Sequence, residues 1–115
     1  MKFLIVDDNQ SMRQTIVKLV AHEQDEIVEC EDGKDAVRLY RECRPDWVLM
    51  DIGMKEVNGI AATENIIAAD AGAKIVIVTD YNDRYFREAA KNAGACHFVT
   101  KEHLSEIETI VRGGE

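Results

Sequence analysis

A chain of 115 residues suits one compact domain with a hydrophobic core of its own, taken as a single unit over 1–115. With 46% hydrophobic and 31% charged residues it is globular rather than disordered, and no apolar run approaches the ~20 residues that span a bilayer. The 22 acids against 14 bases, net charge −8, argue against direct nucleic acid binding by this domain, since such affinity comes from clustered Lys and Arg; they suit a bound cation or a partner with a basic face. The first element is Phe3-Leu4-Ile5-Val6, a continuous apolar run that reads as a strand covered on both faces. It is too short for a secretion signal and is cut off by Asp7-Asp8, so a cytoplasmic location is expected. Met12, Ile16, Leu19 and Val20 then fall on one helical stripe. Ile27-Val28-Glu29-Cys30 is a mixed run, as an outer strand would be. Asp32 is a plausible N-cap for a helix whose stripe is Ala36, Tyr40 and Cys43. Trp47-Val48-Leu49-Met50 is another buried strand, followed by a helix carrying Ile60 and Ile67. Ile75-Val76-Ile77-Val78 is the next strand. Tyr85, Phe86, Ala89, Ala90 and Ala93 form a further stripe, which Gly94 ends at the C′ position. Cys96-His97-Phe98-Val99 is a fifth strand, and Leu104, Ile107 and Val111 mark the last helix. The cysteines Cys30, Cys43 and Cys96 lack a CxxC spacing and read as buried reduced thiols. His22, His97 and His103 lack metal-ligand spacing and read as surface or edge residues.

This alternation gives a strand and a helix five times over, an α/β fold. The expected architecture is a (βα)5 doubly wound, five-stranded parallel sheet in the flavodoxin-like order 2-1-3-4-5, the order following from fold rules rather than from residues. In such sheets ligands bind at the carboxyl ends of the strands. Those ends carry Asp7-Asp8, Asp51, Thr79 and, through Thr100, Lys101. Singly, each has an ordinary reading: a helix N-terminal turn, a strand-end turn, a structural threonine, a solvated lysine. Together they put three carboxylates, a hydroxyl and an ammonium on one rim. Two carboxylates ~5 Å apart repel by roughly 3 kcal/mol at an effective dielectric of 20, so the cluster calls for a cation. Mg²⁺ suits it, because it takes a few carboxylates and keeps waters and phosphate oxygens as its other ligands. A carboxylate is also a competent nucleophile toward phosphorus. Phosphoryl transfer asks mainly for charge neutralisation and positioning, which Mg²⁺, Lys101 and Thr79 would supply.

Val6-Asp7-Asp8-Asn9, Leu49-Met50-Asp51-Ile52-Gly53-Met54, Gly59, Ile77-Val78-Thr79, Gly94-Ala95 and Phe98-Val99-Thr100-Lys101 occur in order across essentially the whole chain. Together they resemble the receiver domain of two-component response regulators, the CheY-like family. The resemblance implies that Asp51 is the phosphoacceptor, with Thr79 and Lys101 binding the phosphoryl oxygens. It implies Mg²⁺ held by Asp8, Asp51, the backbone carbonyl of Gly53 and, through water, Asp7. A histidine kinase would donate the phosphoryl group, and the domain would catalyse its own phosphorylation and dephosphorylation without being a conventional turnover enzyme. Thr79 and Phe98 would form the switch. The output would leave through the face of helix 4, strand 5 and helix 5, to an effector domain or target protein, and a phosphorylation-dependent dimer is allowed. The Tyr81 to Arg87 segment would lie near that face, and it reads equally well as a solvated helix start with two core aromatics.

Several positions depart from the common pattern. Phe98 stands where tyrosine is frequent, so aromatic repacking alone must serve the switch. Lys55 stands where proline is common, which predicts a less rigid loop. Glu102 follows Lys101 where proline often makes a cis peptide, which predicts a trans bond. Asp80 stands where a small residue is usual and adds a fourth acid near the phosphoryl group. Gly53, Asp80 and Tyr81 are the positions expected to tune phosphoryl lifetime, Tyr81 by shielding it from water. The rival readings are a phosphohydrolase, which would want a DxDxT-like pair where Asp7-Asp8-Asn9-Gln10-Ser11 stands, and a flavin or nucleotide module, which would want a glycine- or hydroxyl-rich loop there. The alternative that keeps the fold is a receiver-like interaction module not regulated by phosphorylation.

Overall fold

The computed structural model describes residues 1–54 and 57–113, so the expectation for the Met54-Lys55 loop lies outside the described residues. Strands β1 (Lys2–Val6), β2 (Glu26–Cys30), β3 (Trp47–Met50), β4 (Ile75–Thr79) and β5 (His97–Thr100) form one parallel sheet in the order β2-β1-β3-β4-β5. Architecture and strand order are those expected. The register pairs Val6 with both Cys30 and Met50, Met50 with Ile77, and Thr79 with Thr100. The carboxyl ends therefore meet at one rim. The connecting helices are α1 (Gln10–Val20), α2 (Gly33–Cys43), α3 (Gly59–Ala69), α4 (Arg84–Ala93) and α5 (Ser105–Glu108).

The apolar runs are continuous because both sheet faces are covered. Successive strand residues point to opposite faces, so each run feeds two cores. Leu4, Val6, Val48, Met50, Ile75 and Ile77 pack with Ala36, Tyr40, Ala62, Ile66 and Ala90 of α2, α3 and α4. Phe3, Ile5, Leu49, Val76, Val78 and Val99 pack with Ile16, Val20, Ile107 and Val111 on the α1 and α5 side. β2 is an edge strand with Glu26 and Glu29 exposed, which explains its mixed sequence. Asn9, Asp32, Asn58 and Asp83 cap α1 to α4, each accepting from a backbone N–H inside its helix. Gly94 ends α4 at φ 112°, a left-handed conformation that suits glycine. Gly59 lets α3 start against the phosphoacceptor candidate: a Cβ there would sit 1.9 Å from the Asp51 carbonyl oxygen.

Some expectations fail in detail. Leu19 is 38% exposed, because the stripe advances by fours through Met12, Ile16 and Val20 and leaves it on the flank. Tyr85 is 73% exposed for the same reason; the inward line is Phe86, Ala90 and Ala93. Of the cysteines only Cys30 is buried, where its thiol donates to the Asp32 carbonyl; Cys43 is half-buried and Cys96 exposed. The fifth strand starts at His97, one residue later than expected. The last helix is short, preceded by a 3₁₀ turn over Lys101–His103 and continued by a π-helical turn over Thr109–Gly113. All three histidines are exposed, as expected, and the described peptide bonds are trans, that after Lys101 included.

Candidate functional site

Two backbone bonds carry the ladder one step past the strands: the Asp7 amide donates to the Cys30 carbonyl at 3.0 Å and the Asp51 amide to the Val6 carbonyl at 2.9 Å. Both aspartates are thus fixed where β1 and β3 end. Asp7 and Asp51 are buried, at 1% and 6% exposure, while Asp8 faces solvent. One carboxylate oxygen from each of Asp7, Asp8 and Asp51 lies within 4.8 Å of the others. Lys101, arriving from β5, places Nζ 3.0 Å from Asp7 Oδ2 and 3.5 Å from Asp51 Oδ1.

The charges do not balance: three carboxylates face one ammonium. Burial raises the Asp51 carboxyl above its ordinary range and the neighbouring Asp7 charge adds to this, while Lys101 and the Gly53 N–H oppose it. Burial works against the Lys101 ammonium, but the charges of Asp51, Asp7 and Asp80 outweigh it and hold the lysine above its usual value. Asp7 Oδ1 accepts from the Asn9 N–H at 2.8 Å, whereas its buried Oδ2 has the Lys101 charge nearby but no directed hydrogen bond. Surplus negative charge and an oxygen short of a partner, in an all-oxygen donor set, fit a hard divalent cation such as Mg²⁺.

The other predicted residues lie at the end of β4, in the loop that follows it and on β5. Thr79 is fully buried at the end of β4, and its hydroxyl accepts from the Tyr81 N–H at 3.2 Å. Tyr81 is 48% exposed and lies over Gly53, where an added Cβ would meet its Cε2 at 3.2 Å. Asp80 is exposed. Phe98 is half-buried on β5, with the Arg87 guanidinium 4.6 Å from its ring centroid.

A sequence model of the family described as the response regulator receiver domain matches residues 3–112. The chain belongs to the response regulator receiver family. It is 39% identical over 98 residues to the chemotaxis protein CheY of Halobacterium salinarum, covering 85% of this chain and 82% of that protein. It is 30% identical over 120 residues to the transcriptional regulatory protein DegU of Brevibacillus brevis; that match takes in 98% of this chain but only 51% of DegU. Among solved structures, a LuxR-family two-component response regulator from Aurantimonas sp. superposes with a TM-score of 0.86 at 35% identity, over 97% of this chain and 85% of that one. The CheX–CheY–BeF3–Mg complex from Borrelia burgdorferi gives a TM-score of 0.89 over 98% and 87% of the two chains; at 24% identity it speaks for the fold alone.

One residue of this receiver site escaped sequence reading. Arg13, in α1, donates from Nη1 to the Asp7 carbonyl at 2.6 Å and from Nε to Glu29 Oε1 at 2.7 Å. It braces the acid-bearing loop against β2. The available signal was a base near the start of a helix, where acids are the favoured charge.

Proposed function

We propose that this receiver takes a phosphoryl group from a histidine kinase onto Asp51 and thereby switches its conformation. The observation that carries the reading is the close cluster of Asp7, Asp8 and Asp51 with Lys101 bridging two of them. An Asp51 carboxylate oxygen attacks phosphorus, the P–O or P–N bond to the donor breaks, and the leaving group departs in line. The Lys101 ammonium favours the ionised, nucleophilic form of Asp51 and then pairs with the transferred oxygens. The Thr79 hydroxyl turns from the Tyr81 amide and donates to a phosphoryl oxygen. Asp8, Asp51, the Gly53 carbonyl and, through water, Asp7 would hold Mg²⁺. When bound, that ion neutralises the carboxylates and the incoming phosphoryl charge. Water later hydrolyses the acyl phosphate, and Tyr81, lying over Gly53, restricts its access.

The phosphoryl group brings roughly −1.5 to −2 charge, which draws Thr79 and frees space for Phe98. The face of α4, β5 and α5 then presents a changed surface to an effector domain, a target protein or a second copy. The lengths of DegU-type relatives favour an effector on the same chain; those of CheY-type relatives favour a separate target. No described helix is long and apolar enough to cross a membrane.

The test is incubation with acetyl phosphate, reading intact mass with and without Mg²⁺ beside Asp51→Asn. One phosphoryl adduct that needs Mg²⁺ and vanishes in the variant is the expected result. No adduct, together with no response to beryllofluoride, would overturn it. The reading as a constitutive interaction module would then take its place. One feature favours that second reading: Asp80 directly follows Thr79, and its charge, least among the causes, helps hold Lys101 above its usual value, so a fourth acid bears on the site. Asp80→Ala would then be the variant that restores phosphorylation.

A further inference from the structure

We infer that Arg87 is a positioning residue for the switch: stacked on Phe98 and tied to Asn82, it holds the ring in its half-buried position and sets the threshold for the conformational change. This rests on the reading of Thr79 and Phe98 as the moving pair.

The register puts Phe98 beside Ile77, and Thr79 lies two residues further along β4 on the same face of the sheet. Phe98 is thus one step from the hydroxyl that is to move. Its ring lines a cleft of about 340 Å³ between α4 and β5, together with Arg87, Ala90, Lys91 and Ala95. Ala90 and Ala95 add little bulk to that lining, and Arg87 lies over the ring, its guanidinium carbon 4.6 Å from the ring centroid. A fork fixes the plane of the guanidinium: Nε and Nη2 both donate to Asn82 Oδ1, at 3.1 and 2.9 Å. Among the described residues no carboxylate forms an ion pair with Arg87, whereas its neighbour Arg84 pairs with Glu88 at 3.0 Å. The Arg87 charge is therefore left to the ring and a neutral amide.

Asn82 belongs to the loop between Thr79 and α4. The loop is tied to the switch, because the Tyr81 N–H donates to the Thr79 hydroxyl. When Thr79 turns toward a phosphoryl group that bond breaks, Asn82 shifts with its loop, and the fork that orients Arg87 loosens. One side chain thus touches both moving parts. With phenylalanine at this position there is no phenol to hold the ring by a hydrogen bond, and a guanidinium on its face takes that place.

The test uses the full chain labelled with para-fluorophenylalanine and read by fluorine NMR, the Phe98 signal being assigned with Phe98→Leu. Wild type, Arg87→Ala and Arg87→Lys are titrated with beryllofluoride in the presence of Mg²⁺. In unliganded Arg87→Ala the Phe98 signal should lie nearer the position wild type reaches when saturated. Its titration midpoint should fall about two- to fivefold, the size of an exposed cation–π contact. Arg87→Lys, which keeps the charge without the planar fork, should fall between the two, and Asn82→Ala should shift the same way by less. A wild type that responds while Arg87→Ala leaves signal and midpoint unchanged, or raises the midpoint, overturns the inference. A wild-type Phe98 signal that ignores beryllofluoride overturns the switch reading beneath it, and this inference with it.

Discussion

Asp51 holds its proton more tightly in the folded chain than in the unfolded one, because it is buried beside Asp7. That sign fixes a stability consequence. Below the ordinary carboxyl value, about pH 4, the group is neutral in both states and costs nothing; the penalty grows as pH climbs through the raised folded value. In chelator at neutral pH, Asp51→Asn should therefore melt a few degrees above wild type, and the gap should close toward about pH 4. Thermal melts across that window check it. Tyr81→Ala removes the ring over Gly53, so acyl phosphate decay should quicken; an unchanged decay rate, followed by mass, would sink the shielding role. Asp7, Asp8, Asp51 and Lys101 were legible because each directly follows a strand-forming run. Arg13 and Arg87 were not, since what each touches depends on a neighbouring element that spacing alone does not reveal.

At the scale of elements, the strands were legible because burial on both faces leaves an unbroken apolar run, and β2 was weaker for lack of that burial. Helix faces were read less well. Residues three or four apart differ by only about 60° or 40° of rotation, so Leu19, three after Ile16, and Tyr85, four before Ala89, passed for stripe members from its flank. The irregular turns around α5 left no mark in the sequence, since Leu104, Ile107 and Val111 suit a regular helix equally well. Backbone contacts make sharper predictions. Gly59→Ala would drive a methyl into the Asp51 carbonyl and should cost about 3 kcal/mol or more in urea denaturation. Gly94→Ala meets both a left-handed backbone and Ile67 Cγ1 at 2.7 Å, and should cost about 1–3 kcal/mol. Between α2 and α3, the Tyr40 hydroxyl donates to Asp70 Oδ2 at 2.7 Å, and burial followed by that bond pushes the phenol up to about 12. Ultraviolet titration should find one tyrosine ionising late. The stability this proton lends is present below the ordinary phenol value, about 10, and lost as pH rises to about 12.

Across the whole molecule, one carboxylate gathers three distant segments. Asp25, with 1% of its side chain exposed, accepts from the Met1 amino group at 3.0 Å, from the His22 N–H at 2.7 Å and from Arg112. Arg112 also donates to the Val20 carbonyl at 2.9 Å and lies over the Phe3 ring. The His22 amide first, with the amine and guanidinium, holds Asp25 far below the ordinary carboxyl range. A depressed value means stability that is present above about pH 4 and lost as pH falls through the folded value. Asp25→Asn should therefore be less stable than wild type at neutral pH, with the difference shrinking in acid. Pairing it with Arg112→Met should give less than the sum of the two losses, because both remove the same contact.

That knot lies among the amino ends of the strands, at the pole away from the acids. Residues 1 and 112 are held to a single side chain there, on the side opposite the rim. Pulling those two residues apart would therefore load this one carboxylate before it strained the acid-bearing rim.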